Sequence, residues 1–332
     1  MRIASLHTYP VKGCHRLDHD EVGVEPWGLA GDRRWMVIDP DGVGITQRTV
    51  PTLALLSARP RPGYLAVRAP GRPDLEIAEP VDGPKEFVRV FRSKPHVPAR
   101  LAPAMGWFSE FLGRPARLAW LGDPTARPIA RHARESDRVS FADGYPLLLT
   151  NAASLAALND WLLEDAAEPV PMTRFRPNVV VAGARPWAED DWLGGRLRIG
   201  DVVFRAAKAC DRCLVTTIDQ ETGSVGRQPL RALGQYRRFP DGLLFGMNLI
   251  PDIAPGDTGV LRVGHEVTFS FAGQVDHEGA VVRSAFRHSI MINARNSSSS
   301  LSAGTGRRSA GRSRRLQPRR SAPGRSRLTH RS

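Results

Sequence analysis

The chain has 332 residues, 41% of them hydrophobic and 7% aromatic, so it is long enough for two domains with a sizeable core. Its three cysteines exclude a disulfide scaffold and are typical of a reducing compartment. No apolar leader follows Met1, and the longest apolar runs are far shorter than the roughly 18 residues of a membrane helix. The sequence therefore predicts a cytoplasmic protein without a membrane segment.

The formal net charge of +13 would suggest a nucleic-acid binder if it were spread over the whole chain. Ten arginines, however, follow Asn296, and no Asp or Glu does. Subtracting these ten charges leaves +3 for residues 1–296, which is unremarkable. Residues 272–332 are therefore predicted to be a basic, Ser/Arg-rich, disordered tail, and nucleic acid could bind only through it.

Residues 1–92 consist mostly of short apolar or β-branched runs that Gly, Pro and Asp separate at regular intervals. This pattern predicts a barrel or a sandwich. A short helix is predicted over Ala104–Leu112, because its aromatic residues share one face and Gly113 ends it. The predicted strands are Arg2–Thr8, Glu21–Val24, Trp35–Asp39, Leu53–Ala58, Tyr64–Arg68, Phe87–Phe91 and Ala116–Leu121.

The polar segment Gly122–Ser140 is the best candidate for a connection between two domains. After it, Tyr145–Thr150 is a predicted strand, and Asn151 can cap a helix from Ala152 to about Asp165. Further strands are predicted at Val179–Ala182, Arg196–Ile199, Val202–Ala206, Leu214–Ile218, Leu244–Ile250, Gly259–Val263 and Glu266–Phe271. The predicted fold class is mainly β (α+β), with a second β-rich domain that contains a few helices.

Two of the three cysteines, Cys210 and Cys213, lie three positions apart beside Arg212. This spacing is compatible with a dithiol redox pair, half of a zinc site, or a single thiolate ligand to a soft metal. A zinc site lacks further ligands nearby, since Cys14 is distant and no histidine is close in sequence. The strand predicted after the pair also differs from a thioredoxin-like motif, in which a helix follows. A packing role for two small buried residues stays an alternative.

Cationic residues precede strands at several distant points of the chain. Phe175-Arg176-Pro177-Asn178 and Gly31-Asp32-Arg33-Arg34-Trp35 each come before a predicted strand, and Tyr9-Pro10-Val11-Lys12-Gly13-Cys14 runs into a glycine turn. Cations at such places suit a phosphate-bearing ligand, although each one alone is more often a surface ion-pair partner. Neither the glycine pattern of dinucleotide-binding folds nor a P-loop is present.

Together, these segments resemble the MOSC family of molybdenum-cofactor proteins. The overall order is similar to the bacterial MOSC hydroxylamine reductases and the mitochondrial amidoxime-reducing component. Seven blocks over about residues 1–271 carry the resemblance: Tyr9–Cys14, Gly31–Trp35, Leu149–Leu155, Phe175–Asn178, Trp187–Trp192, Ala209–Cys213 with Thr216 and Thr217, and Leu244–Asn248.

The resemblance implies a MOSC N-terminal β-barrel domain over residues 1–122 and a MOSC domain over residues 123–271. It implies that Cys213 is the thiolate ligand of the molybdenum and the catalytic position, while Cys210 is a neighbour without metal contact. The residues that match cofactor-binding or site-lining positions of the family are Lys12, Arg33, Thr150, Asn151, Arg176, Asn178, Arg212 and Asn248.

The implied activity is that of a molybdenum-dependent oxidoreductase that reduces N-hydroxylated compounds such as hydroxylamines, amidoximes and N-hydroxylated bases. Some family members add a ferredoxin domain, whose cluster needs four cysteines. No cysteine follows Cys213, so we expect no iron–sulfur cluster on this chain and a separate flavin or iron–sulfur protein as electron donor. The alternative is a molybdenum-cofactor carrier or a sulfur-transfer protein that uses Cys213. Pyridoxal phosphate binding, a general description of the family, is also implied.

Overall fold

The computed structural model describes residues 1–90, 96–104 and 106–271. The predicted disordered tail at 272–332 lies outside the described residues, as does the last residue of the strand predicted at Phe87–Phe91. Within the described part, strands make up most of the regular structure and three α-helices lie between them, which confirms the mainly β prediction.

The first part of the described chain contains one α-helix, α1 (Trp107–Leu112), which ends at Gly113 in the left-handed conformation. A 3-10 helix covers Pro51–Leu55. The strands are β1 (Arg2–Thr8), β2 (Val11–Lys12), β3 (Leu17–His19), β4 (Glu21–Glu25), β5 (Gly28–Leu29), β6 (Trp35–Ile38), β7 (Ser57–Arg61), β8 (Tyr64–Arg68), β9 (Leu75–Ala78), β10 (Lys85–Val88), β11 (Val97–Leu101) and β12 (Arg117–Trp120).

The second part contains the helices α2 (Ala152–Glu164) and α3 (Leu230–Tyr236). Short 3-10 helices cover Pro124–Ala126, Met172–Phe175, Ala188–Trp192 and Leu214–Thr217. The strands are β13 (Leu147–Asn151), β14 (Val179–Ala182), β15 (Arg196–Ile199), β16 (Val202–Asp211), β17 (Arg238–Phe239), β18 (Gly242–Pro251), β19 (Gly259–Arg262) and β20 (Val267–Ser270).

The largest sheet of the described residues has the order β20-β15-β16-β18-β13-β14-β1-β3, with β17 added beside β18. Strand β1 lies antiparallel to β14, and β13 lies parallel to β14. Alternation along these strands turns apolar side chains such as Leu6, Leu149 and Phe204 into one buried cluster. The N-terminal strand is therefore part of the same sheet and core as strands from the second half of the chain.

Three further sheets complete the described fold, with the orders β10-β11-β12-β6-β2, β19-β4-β5 and β7-β8-β9. A cluster around Trp35, Phe108 and Leu118 fills the space next to the first of them. Strand β4 of the first part pairs with β19 of the second. Strands β1 and β4 therefore both pair with strands that follow residue 122. The domain boundary at that residue stays a prediction.

The helix predicted after Asn151 is confirmed as α2. The Asn151 side chain accepts a hydrogen bond from the backbone N–H of Ala153 at 3.1 Å, which satisfies one of the free donors at the helix start. Leu158 and Leu162, one helical turn apart on α2, are fully buried in a cluster with Phe175 and Phe245.

The strand predicted at Leu214–Ile218 is wrong, because the chain forms a 3-10 helix over Leu214–Thr217. The hydroxyl of Thr216 donates to the carbonyl of Cys213 at 3.0 Å, and that of Thr217 donates to the carbonyl of Leu214 at 2.8 Å. Threonine hydroxyls compete in this way with the hydrogen bonds of a strand.

The strand predicted at Leu53–Ala58 is also partly wrong. The 3-10 helix Pro51–Leu55 occupies its first half, and β7 begins only at Ser57. A proline in the first turn suits a helix start, because its fixed φ is helical and its missing N–H would have no partner there.

Candidate functional site

A cavity of about 390 Å³ is formed by loops and strand ends from both halves of the described chain. This volume falls within the range typical of small-molecule and cofactor sites. Six cations and two carboxylates line it, which gives a formal charge of +4 and favours an anionic ligand. The cations are Lys12, Arg33, Arg48, Arg176, Lys208 and Arg212, and the carboxylates are Asp143 and Asp211.

The structure brings together seven of the nine residues that the sequence proposes for the site. They come from distant parts of the chain and all line this cavity: Lys12, Arg33, Arg176, Asn178, Arg212, Cys213 and Asn248. The convergence has a structural origin. Strand β1 pairs with β14 in the sheet that also contains β13, β16 and β18. The backbone N–H of Arg33, shortly before β6, donates to the carbonyl of Tyr9, which directly follows β1.

Arg33 and Arg176 lie against the same aromatic ring. Their guanidinium carbons are 4.5 and 4.1 Å from the ring centroid of the buried Tyr9. Both arginines have positive φ, 50° and 55°, a conformation that is uncommon for residues other than glycine and often found at functional sites. The Tyr9 hydroxyl donates to the carbonyl of Pro177 at 3.1 Å, and burial raises its pKa to about 12. Tyr9 thus remains a neutral platform for two cations.

A pair of glutamines fixes Arg176 from the other side. Arg176 donates to Oε1 of Gln220 at 2.7 Å. Gln220 and Gln47 are both buried and exchange two amide hydrogen bonds of 2.9 and 3.0 Å. Burial lowers the pKa of Arg176 to about 10, so this side chain stays charged at neutral pH. Neither glutamine is marked by a local signal in the sequence, because their contact spans 173 positions.

Lys12 and Asp143 form an ion pair at the cavity wall, with 2.5 Å between Nζ and Oδ1. Burial lowers the pKa of Lys12, whereas its carboxylate partner raises it. In return, the Lys12 ammonium holds the pKa of Asp143 well below its usual range. The loop that carries Asp143 is held by Arg127, which is buried and donates to the carbonyls of Ser140, Ala142 and Asp143.

Each cysteine of the pair has its own arginine donor. Arg48 donates to Sγ of Cys213 at 3.0 Å, and Arg212 donates to Sγ of Cys210 at 2.8 Å. Both thiols are free and partly exposed, and both line the cavity. The third cysteine, Cys14, is buried. Arg48 is absent from the sequence predictions, since its contact with Cys213 spans 165 positions and has no local signal.

Thr150 and Asn151, the other two predicted site residues, are not among the residues that line this cavity. Both are fully buried. The Thr150 hydroxyl has no hydrogen-bond partner among the described residues. Asn151 caps α2 and donates to the carbonyl of Arg185 at 2.8 Å and to Oε2 of Glu189 at 3.1 Å. These bonds explain the burial of Asn151 without a ligand.

The donor set fits an anionic cofactor that brings metal ligands of its own. In the described ranges, no three His, Cys, Asp or Glu side chains lie together as a metal site would require. A metal at Cys213 would therefore take further ligands from the cofactor, as a pterin dithiolene provides. Arg212 adds a buried Nε without a hydrogen-bond partner beside the cavity, while its other nitrogens bind Cys210 and the Phe175 carbonyl.

None of the helices described here has the length and apolar character needed to cross a membrane.

Profiles of two known domains match the chain. The MOSC N-terminal beta barrel domain matches residues 1–115, and the MOSC domain matches residues 136–268. These matches agree with the predicted fold class of a β-barrel domain followed by a MOSC domain.

Several curated proteins are similar in sequence to this chain. The human mitochondrial amidoxime-reducing component 1 is 32% identical over 286 residues, which cover 80% of this chain and 82% of that protein. The human component 2 is 33% identical over 247 residues, covering 71% of this chain and 72% of that protein. A molybdenum cofactor sulfurase from Oryza sativa subsp. japonica is 30% identical over 292 residues, covering 80% of this chain but only 35% of that protein. The predicted resemblance is confirmed: the chain belongs to the MOSC family of proteins related to the molybdenum cofactor.

Proposed function

We propose that this protein binds the molybdenum cofactor and reduces N-hydroxylated compounds such as hydroxylamines, amidoximes and N-hydroxylated bases. The observation that carries the proposal is the placement of the Cys213 sulfur in a cavity lined by six cations. The names of the two human relatives, amidoxime-reducing components, support the substrate class.

Four cations are proposed to hold the anionic part of the cofactor: Lys12, Arg33, Arg176 and Arg212. Arginine binds phosphate through two parallel hydrogen bonds, and Tyr9 and Gln220 already orient the guanidinium of Arg176. The amides of Asn178 and Asn248 would complete the polar lining. Asn178 accepts from Arg33 at 3.2 Å and therefore also holds that cation in place.

Cys213 is proposed as the protein ligand of the molybdenum and as the catalytic position. When bound, the cofactor would supply the electron and oxygen-atom transfer that no side chain can perform. Reduction of an N–OH group consumes two electrons and two protons and releases water. A separate flavin or iron–sulfur protein is proposed to supply the electrons.

The test is the molybdenum and pterin content of the wild type, Cys213→Ala and Cys210→Ala, produced in a host that makes the cofactor. We expect about one molybdenum per chain in the wild type, because a single thiolate, that of Cys213, is proposed to ligate the metal. Cys213→Ala should lose the metal and turnover, whereas Cys210→Ala should keep much of both. Equal loss in the two variants would contradict a single thiolate ligand and favour a dithiol.

A second candidate is a cofactor carrier or a sulfur-transfer protein that uses Cys213. It is favoured by the similarity to a molybdenum cofactor sulfurase and by the partial exposure of the Cys213 thiol. A cofactor-loaded protein that reduces no N-hydroxylated compound, even with an artificial electron donor, would support this candidate. Reduction of a simple amidoxime would exclude it as the sole function.

Three further expectations stay predictions. The human relatives are named as mitochondrial, so a cytoplasmic location for this chain needs its own measurement. Pyridoxal phosphate binding has no supporting observation at the cavity. Nucleic-acid binding would involve residues 272–332, which lie outside the described part of the chain.

A further inference from the structure

Arg48 reaches the Cys213 sulfur from the opposite half of the sequence. It lies in a turn in which the N–H groups of Thr49 and Val50 both donate to the carbonyl of Thr46 at 3.0 Å. The preceding residue, Gln47, is buried and donates to the carbonyl of Gly13 at 2.7 Å. The backbone that carries Arg48 is therefore anchored on both sides of this residue.

The guanidinium of Arg48 lines the cavity and places Nη2 3.0 Å from the Cys213 sulfur. Cys213 is the residue directly before the 3-10 helix Leu214–Thr217, and its side chain makes no capping hydrogen bond to that helix. The sulfur therefore does not stabilise the helix start, and the hydrogen bond described for it comes from Arg48.

We propose that Arg48 is a positioning residue that fixes the Cys213 sulfur and raises the reduction potential of the metal bound to it. This inference rests on the proposed function, because it requires Cys213 to ligate the molybdenum. Hydrogen bonds and positive charge at a ligating sulfur withdraw electron density from it, which favours the reduced, more electron-rich state of the metal.

The neighbouring Arg212 does not duplicate this role. Its guanidinium donates to Cys210 at 2.8 Å and to the carbonyl of Phe175 at 2.6 Å. Arg212 thus donates to the sulfur of Cys210, and Arg48 donates to that of Cys213. Only the Arg48 bond ends at the sulfur that is proposed as the metal ligand, so the two side chains are predicted to affect the metal differently.

The test compares Arg48→Met and Arg48→Lys with the wild type. Each protein is loaded with cofactor, assayed for molybdenum, and titrated electrochemically while the Mo(V) signal is followed by electron paramagnetic resonance. Arg48→Met removes both charge and hydrogen bond, so its Mo(VI)/Mo(V) midpoint potential should become more negative and its Mo(V) spectrum should change. Arg48→Lys keeps the charge but loses the planar fork, so its potential should lie between the other two.

Arg174→Met is the matched control. The Arg174 guanidinium donates to the carbonyl of Thr217 at 3.1 Å and to Asp219 at 2.9 Å, so it supports the same 3-10 helix. It is not among the residues that line the cavity. A loosened helix would shift the potential of this variant too, whereas an effect through the sulfur would leave it at the wild-type value.

The outcomes separate the inference from the proposed function. The expected shift of the midpoint potential would support the role of Arg48. So would a loss of molybdenum from Arg48→Met that does not occur in Arg48→Lys, provided that thermal stability is unchanged. Unchanged potential and metal content in both Arg48 variants, or the same shift in Arg174→Met, would overturn it and leave the proposed function intact. A wild type without molybdenum would overturn the proposed function, and this inference with it.

Discussion

Two arginines in van der Waals range of one ring would repel each other, yet Arg33 and Arg176 both contact Tyr9. Each cation–π contact contributes about 0.5–2 kcal/mol, depending on desolvation. The buried carboxylate of Asp32 pairs with Arg33 and also accepts from the backbone N–H of Tyr9 at 2.7 Å. These contacts fix both side chains before any ligand arrives, so an anion would lose less free energy to ordering them.

The Lys12–Asp143 pair leads to a prediction about pH. The folded-state pKa of Asp143 is lowered, so its contribution to the free energy of unfolding is present above the unfolded pKa of about 3.9 and is lost as pH falls below it. Asp143→Asn should remove this pH-dependent part. Because the Asp143 side chain is 63% exposed, water screens the pair and the loss at pH 7 should be only about 1 kcal/mol.

Urea denaturation between pH 3 and pH 7 measures this contribution. The control is Asp160→Asn, since Asp160 is exposed on α2 and has no ion pair among the described residues. The control should keep the wild-type slope of unfolding free energy against pH in the acid range, while Asp143→Asn should show a flatter one. Identical slopes in all three proteins would mean that Lys12 does not stabilise the Asp143 carboxylate.

Residue types alone could predict part of the site. Two thiols beside an arginine indicated the Cys210/Cys213 pair, and cations before strands indicated Arg33 and Arg176. The choice of Cys213 within the pair came from the family resemblance. The contacts that orient these side chains could not be predicted in the same way. Gln47 and Gln220 are 173 positions apart, and only the tertiary fold makes them partners.

At the scale of elements, the junction of β13 and α2 shows why two predicted site residues lie elsewhere. Asn151 ends β13 and caps α2, and its amide also donates to the buried Glu189. Burial raises the pKa of Glu189, while the bonds from Asn151 and Ser154 oppose that rise. The same asparagine therefore connects a strand, a helix and the 3-10 helix Ala188–Trp192.

Asn151→Ala should accordingly reduce stability more than it changes the cofactor site. Loss of the cap costs about 1 kcal/mol, and the loss of a donor to a buried carboxylate adds about 1–2 kcal/mol. Asn151→Ser keeps a capping oxygen and should recover part of the loss. The free energy of unfolding and the molybdenum content per folded chain are the two measurements. Molybdenum loss at unchanged stability would instead support the site-lining role that the family resemblance implies.

The 3-10 helix after Cys213 marks a limit of strand prediction from composition. Leu214-Val215-Thr216-Thr217-Ile218 has the β-branched residues of a strand, and the hydroxyls of its threonines make the difference. By bonding to carbonyls three residues back, they stabilise a tight turn. This turn ends β16 at Asp211 and leaves the Cys213 sulfur facing the cavity.

At the scale of the whole molecule, the positions of most strands were predictable because periodicity two is a local signal. Strands β2, β3, β5, β9, β11 and β17 were not predicted. The order of the strands was not, since pairing depends on contacts between distant segments. The sequence suggested two successive domains, whereas the described residues show β1 beside β14 and β4 beside β19. The cavity depends on this interleaving, because Lys12 and Arg33 come from one half and Arg176 and Cys213 from the other.

This interleaving predicts that the folded part of the chain unfolds as one unit. Loss of β1 would expose the edge of β14, whose residues Val179 and Val181 are fully buried, so neither half should remain folded while the other unfolds. Urea denaturation of the full chain should give coincident transitions by far-ultraviolet circular dichroism and by tryptophan fluorescence. Trp35 and Trp107 report on the first half and Trp161 and Trp192 on the second, so each half carries probes. Two separated transitions would show that the parts of the chain before and after residue 122 unfold independently. The pairing of β1 with β14 would then contribute little to the stability of the cavity.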